Sequence, residues 1–274
     1  SILADTADQG VQCKAGFDVH VESIWVTMPN GEQLHMRYLT PIDPEPGEVQ
    51  ASADLDCVQA GVNYDRYKHR RVFMLHGEVE CGRIFFHESG KGLAHFLARQ
   101  GYEVFVADLG GRGRSLVPDG GPSTLSVSSI IKDAIPRLLQ AATQFQSAAC
   151  PHYFSGENVA PDIWVARGFG AVMLSAAWAR MPERERSATQ MIFFNARRQL
   201  TPNHRIARWF VKLFCHSMTE KWVNWQSVFP ATRLGLGTAD ETANWYKTYA
   251  AWMNGERWID PVDDFDYRAE LARV

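Results

Sequence analysis

The stretch that most limits what this chain can fold into runs from Asp162 to Ala179, Asp-Ile-Trp-Val-Ala-Arg-Gly-Phe-Gly-Ala-Val-Met-Leu-Ser-Ala-Ala-Trp-Ala. A short apolar run, Asp162–Ala166, predicts a buried strand, and an apolar helix over Phe169–Arg180 stops ahead of Pro182. Between them Ala166-Arg167-Gly168-Phe169-Gly170 has the small-x-X-x-small pattern of a sharp strand-to-helix turn. Such an elbow displays its central side chain, ordinarily Ser, Cys or Asp, next to backbone N–H groups at a helix start. Here the centre is Gly168, which has no side chain to display.

The elbow sits in an alternating series. Glu22–Met28 and Gln33–Leu39 are β-rich runs joined across Pro29-Asn30-Gly31-Glu32, and Asn-Gly predicts a hairpin of antiparallel edge strands away from the chemistry. Arg71–Leu75 is an apolar run ending in His76-Gly77, followed by a predicted helix over roughly 84–100 that stops at Gly101. Tyr102–Leu109 is a second buried strand, and a helix is expected from about Ser128 to Phe145. Thr189–Asn195 reads as the strand after the elbow helix. Strands alternating with helices predict an α/β fold, a predominantly parallel sheet covered on both faces. Residues 1–20 read as a lead-in without strong period, and Pro41–Arg66 as a long surface loop or flap.

From Arg197 to Trp258 the alternation ends. Six of the nine tryptophans fall there, Trp209, Trp222, Trp225, Trp245, Trp252 and Trp258, so a helical, aromatic-rich unit is expected. The chain therefore divides into a core over 1–196, a helical cap over 197–258 and a return toward the core over 259–274.

Composition narrows the function. With 28 basic and 31 acidic residues the net charge is −3, which gives no electrostatic footprint for nucleic acid. No apolar run is long enough to span a bilayer, and the N-terminus lacks a signal-peptide pattern. Cys13, Cys57, Cys81, Cys150 and Cys215 are odd in number and lack any C-x-x-C, so free thiols in a reducing, cytoplasmic compartment are expected rather than disulfides or a metal site. No cofactor is expected either. After Gly168-Phe169-Gly170 the third position of a dinucleotide fingerprint is Met173, and no acidic residue ends the following strand.

Three landmarks in order resemble the α/β-hydrolase superfamily, in particular its lipase, esterase and thioesterase-like members with a helical cap. They are Leu75-His76-Gly77 closing a strand, the strand and loop Tyr102–Ser115 with Asp108-Leu109-Gly110-Gly111-Arg112-Gly113-Arg114-Ser115, and the elbow. The resemblance covers about 72–195, and the cap reading extends it to about 258. It implies a nucleophile position at Gly168 and oxyanion donors in the backbone N–H groups of Phe169 and Glu78. It implies a pocket between strand ends and cap, with His76, Gly77, Arg167, Trp209 and Trp245 as substrate-binding candidates. Gly110 stands where the family usually has Arg, which would loosen that loop.

The resemblance also implies an acid and a histidine beyond the cap, after two further strands. The sequence reaches Val274 before either, and His204 and His216 fall in the cap region. An open parallel edge would then be left beside Thr189–Asn195, where a second copy or another chain could pair. Cys81 and Ser89 lie just past the His76-Gly77 loop without an identifiable base, and Asp108 is expected to order its own glycine loop. Arg112, Arg114 and Arg167 are expected to be solvated or locally paired rather than anion-binding. Three functions are open: an elbow without a nucleophile that binds a hydrophobic acyl or carbonyl ligand, a non-serine hydrolase or lyase with its acid and histidine beyond Val274, and a non-catalytic interaction subunit.

Overall fold

The computed structural model describes residues 2–5, 19–42, 70–147, 158–198, 217–255 and 257–273. Their centre is a seven-stranded sheet in the order β1-β2-β3-β5-β4-β6-β7. The strands are β1 (Ile2–Asp5), β2 (Val19–Thr27), β3 (Gln33–Pro41), β4 (Arg71–Leu75), β5 (Glu103–Ala107), β6 (Ile163–Arg167) and β7 (Gln190–Phe194). β5, β4, β6 and β7 run parallel, whereas β1, β2 and β3 add an antiparallel wing.

Side chains alternate along the parallel strands, as the pleat demands. Phe73, Leu75, Phe105, Ala107, Trp164 and Ala166 enter one core with the elbow helix (Gly168–Arg180) and the Ile135–Gln144 helix. Val72, Met74, Val104, Val106, Ile163 and Val165 enter the other, against Ala94 and Ala98 of the Leu93–Arg99 helix. Both faces are therefore covered.

Several expectations change. The β2–β3 hairpin is interior, because β1 pairs outside β2 and Met36–Leu39 pair with Val104–Ala107. Part of the expected lead-in is thus a strand. The helix expected from residue 84 starts at Leu93. Gly90 and Gly92 take left-handed φ values of 77° and 108°, and a Cβ at Gly92 would overlap the Phe85 carbonyl, so the chain turns before the helix can form. The cap segment is not purely helical: besides the Ser217–Gln226 and Ala243–Met253 helices it holds a two-stranded ladder, β8 (Val228–Phe229) with β9 (Glu241–Thr242). Most of the 41–66 loop, together with Trp209, His204 and His216, lies outside the described residues.

Past the Ala243–Met253 helix, Asp260 ties the C-terminal segment to the core. It is fully buried and accepts hydrogen bonds from Ser128 Oγ (2.8 Å), Tyr267 OH (2.5 Å) and Arg180 Nη2 (2.9 Å). Burial would raise its pKa, but these donors together with the Val262 N–H (2.9 Å) outweigh it and hold the carboxyl below the usual range. At the opposite side of the sheet from β1, β7 exposes Ile192 and Phe194.

A candidate ligand site at the elbow

Gly168 opens the elbow helix with a φ of 54°, the left-handed turn expected from its sequence, and is buried. Arg167, before it, supplies no capping side chain. The cap comes from across the sheet. Oε2 of Glu78, three residues past the end of β4, accepts the Phe169 N–H at 2.7 Å. An anion at this end of a helix is favoured by its unpaired N–H groups and by its dipole, by about 0.3–1 kcal/mol or more where water is partly excluded.

The same oxygen fills the space that a side chain at 168 would need: an ideal Cβ on Gly168 would overlap Glu78 Oε2. Gly168 and Glu78 are thus complementary, one leaving the volume that the other's carboxylate occupies. Phe169 does offer an N–H at the expected place, but it is already accepted by Glu78. A carbonyl oxygen reaches it only by displacing that carboxylate. Glu78 enters the site through its side chain.

The segment carrying Glu78 is held by residues 238–241. Val79 has a φ of 49°, a costly conformation for a β-branched residue. Its N–H donates to Glu241 of β9, and its carbonyl accepts from Thr238 N (2.8 Å) and Ala239 N (3.1 Å). Glu241 also pairs with Arg112, whose Nη1 donates to the Gly77 carbonyl at 3.1 Å and whose guanidinium lies 4.9 Å from the Trp245 ring centre. Arg112 and Glu241 are 5% and 2% exposed, so this is a desolvated pair.

Burial pushes the Glu241 carboxyl up to about 7, helped by Glu78 and Asp240 and opposed by Arg112 and the Val79 N–H. A carboxyl with a folded pKa above its unfolded one adds stability below the unfolded value. That stability is lost as pH rises through the folded value. Exchanging Glu241 for Gln removes this dependence. Relative to wild type, E241Q should gain on the order of 1–3 kcal/mol between pH 5 and pH 8 in chemical denaturation. A difference that stays flat across that range would mean that Glu241 does not titrate there.

His76 is fully buried and braces the site. Its Nε2 accepts the Leu109 N–H (3.1 Å), so Nδ1 carries the proton and donates to the Gly77 carbonyl (2.9 Å). Burial, then Arg112, pushes its pKa down to about 4. With both nitrogens engaged it is not presented to a ligand, unlike the substrate-binding role expected of it. Gly77 sits so close to β6 that a Cβ would lie 2.8 Å from the Arg167 carbonyl oxygen. Arg167 itself pairs with Glu80. Asp108 orders its glycine loop as expected, accepting from Gly82 N (2.7 Å) and Arg114 N (3.2 Å). Gly110 does not loosen that loop, because it packs against Glu32 and Ser123 where a larger residue would not fit. Cys81 is buried, and Ser89 is an exposed turn residue bonded to His87 Nδ1 at 2.7 Å.

A small pocket of about 140 Å³ lies beside the capped helix start, lined by Glu78, Val79, Phe229, Leu236, Glu241, Trp245, Tyr246 and Tyr249. Trp245 lines this pocket, whereas His76, Gly77 and Arg167 do not. The aromatic wall is anchored to the elbow: the Phe169 ring packs against Trp245 (5.1 Å) and Tyr249 (4.9 Å), and those two stack at 4.8 Å. Sequence reasoning missed Glu241 and Val79. Both stand in unremarkable local sequence and acquire their roles through contacts with each other across the fold.

No family model matches the chain, and no curated protein matches it in sequence. Solved structures are similar in fold. DcsB in complex with its substrate analogue superposes with a TM-score of 0.51 at 10% identity, over 86% of this chain and 74% of that one. The α/β hydrolase GrgF from Penicillium sp. sh18 gives 0.48 at 12% identity, over 84% and 72%. The haloalkane dehalogenase DatA from Agrobacterium tumefaciens C58 gives 0.44 at 13% identity, over 92% and 74%. The first of these, at 10% identity, speaks for the fold alone. A strand–elbow–helix on β6, parallel neighbours on both sides and an antiparallel wing at one edge give this chain an α/β-hydrolase fold.

Proposed function

We propose that this protein binds a small molecule with an apolar body in the pocket beside its elbow and does not hydrolyse esters through an elbow nucleophile. One observation carries the reading: the place where an attacking atom and an oxyanion would stand holds Gly168 and the Glu78 carboxylate, bonded to Phe169 N–H at 2.7 Å. Nucleophilic acyl transfer needs an Oγ or Sγ at the first and a vacant donor at the second. Here the first is absent, and an anion already takes the second. The imidazole base of a serine triad is not available among the described residues. His76 is neutral, buried and committed on both nitrogens, and His204 and His216 lie outside the described residues.

The aromatic wall and modest volume suit a compact ligand better than a long acyl chain, since pockets for drug-sized molecules run to roughly 300–1,000 Å³. The expected result is that a fluorophosphonate probe leaves the protein unlabelled and that p-nitrophenyl acetate and butyrate hydrolyse at the buffer rate. Gly168→Ser should not change either outcome, because the new Oγ meets Glu78 and finds no free imidazole among the described residues. Saturable ester hydrolysis by the wild-type protein would overturn the proposal.

A further inference from the structure

We propose that the pocket selects a cation, specifically a primary ammonium group carried on a compact apolar or aromatic body. The inference rests on the binding reading above and adds the ligand's charge and polarity.

It starts from an inversion of polarity at the elbow. A helix start ordinarily offers N–H donors to an incoming anion or carbonyl oxygen. Here Glu78 has taken the Phe169 N–H through Oε2, and Oε1 has no hydrogen-bond partner among the described residues. The lining therefore presents an acceptor and a negative charge where the backbone alone would present donors.

The count of charges runs the same way. Among the described residues the lining contains two acidic side chains, Glu241, which is paired with Arg112, and Glu78, and no cationic residue. Arg112, behind it, is already committed to Glu241, to the Gly77 carbonyl and to the face of Trp245. Among the described residues Glu78 forms no ion pair. The remaining lining residues are Val79, Phe229, Leu236, Trp245, Tyr246 and Tyr249, whose surfaces exclude water and strengthen any charge pairing made at the mouth of the pocket. An anionic ligand would meet like charge in the same medium, at a large cost.

A further observation points to an occupant. Trp245 is 1% exposed, and its indole Nε1 has no acceptor among the described residues. Buried donors left unpaired are costly, and a ligand that adds a neutral oxygen would meet that need. An amine bearing a hydroxyl or carbonyl oxygen on a short aromatic or aliphatic frame satisfies both groups. The volume of about 140 Å³ keeps it compact.

The test compares three molecules of nearly equal shape by isothermal titration calorimetry on the full chain: 2-phenylethylammonium, 2-phenylethanol and 3-phenylpropanoate. The ammonium is expected to bind at least about tenfold more tightly than the alcohol, with the carboxylate weakest. Glu78→Gln should narrow the ammonium-to-alcohol affinity ratio about tenfold, a ratio in which any change of the pocket common to both ligands cancels. Equal affinities for ammonium and alcohol would overturn the inference while leaving a binding pocket. So would an ammonium preference that survives both Glu78→Gln and Glu241→Gln. Failure of all three molecules to bind would remove the binding reading itself, and the inference with it.

Discussion

Arg71→Ala is expected to lower the unfolding free energy by roughly 3–5 kcal/mol, the range for breaking a buried ion pair from one side. Arg71 opens β4 and is 2% exposed. Its Nε donates to Glu103 Oε2 at 2.7 Å, and Glu103, opening β5 beside it, also accepts from Tyr38 OH at 2.7 Å. The other guanidinium nitrogens satisfy carbonyls that have no helical partner. Nη1 reaches Ala142 (3.0 Å), Thr143 (3.3 Å) and Val159 (2.8 Å), and Nη2 reaches Phe145 (3.4 Å).

The first two of these carbonyls, with Phe145, belong to the end of the Ile135–Gln144 helix, where the last C=O groups of any helix lack intrahelical donors. A single side chain thus closes a helix, a loop and a carboxylate. Alanine would leave Glu103 charged and buried, and the helix end unpaired. Arg71→Lys should recover only part of the loss, because one ammonium with three donors cannot reproduce a five-donor planar fork. Denaturant unfolding checks this, and R71A/E103A should be less unstable than the sum of its single variants because the orphaned charge is gone. A loss under about 1 kcal/mol for R71A would show that solvent replaces the guanidinium.

Gly170→Ala is expected to cost at least the upper part of the ~1–3 kcal/mol usual for forcing atoms into a packed interior. An ideal Cβ there would overlap the His76 carbonyl oxygen, and would lie 2.8 Å from the His76 carbonyl carbon and 3.2 Å from the Leu75 oxygen. All three are backbone atoms at the end of β4, so no side chain can rotate away. The elbow helix would have to back off from the sheet, and Phe169 with it. Because Phe169 anchors Trp245 and Tyr249, the pocket should loosen as stability falls. Enhanced near-ultraviolet signal loss on heating, alongside denaturant midpoints, measures both. Gly168→Ala is the informative contrast: its obstacle is the mobile end of Glu78, so its cost should be smaller and come mainly from the φ of 54°.

That contrast shows why the elbow was legible and the site was not. Gly168 is a glycine for a local reason, its left-handed φ of 54°, and a local reason leaves a local pattern, whereas the atoms that crowd Gly168 and Gly170 come from Glu78 and His76. Leu75-His76-Gly77 and Asn30-Gly31 are legible in the same way, since each marks where a strand stops. The helix expected from residue 84 failed because the decisive feature, the close approach of Gly92 to the Phe85 carbonyl, is a contact between two turns of chain.

From residues alone came an α/β-hydrolase-like alternation, its elbow and the absence of a nucleophile at Gly168, because periodicity and turn chemistry are written within a few positions. Only the folded chain decided what replaces the nucleophile. Glu78 meets Phe169 across 91 positions, Arg112 meets Glu241 across 129, and Glu241 meets Val79 across 162. Charge and hydrogen-bond polarity at a site are sums over neighbours in space. A glutamate in a turn and a glutamate before a helix therefore become a pocket's chemistry only when sheet and cap bring them to one helix end.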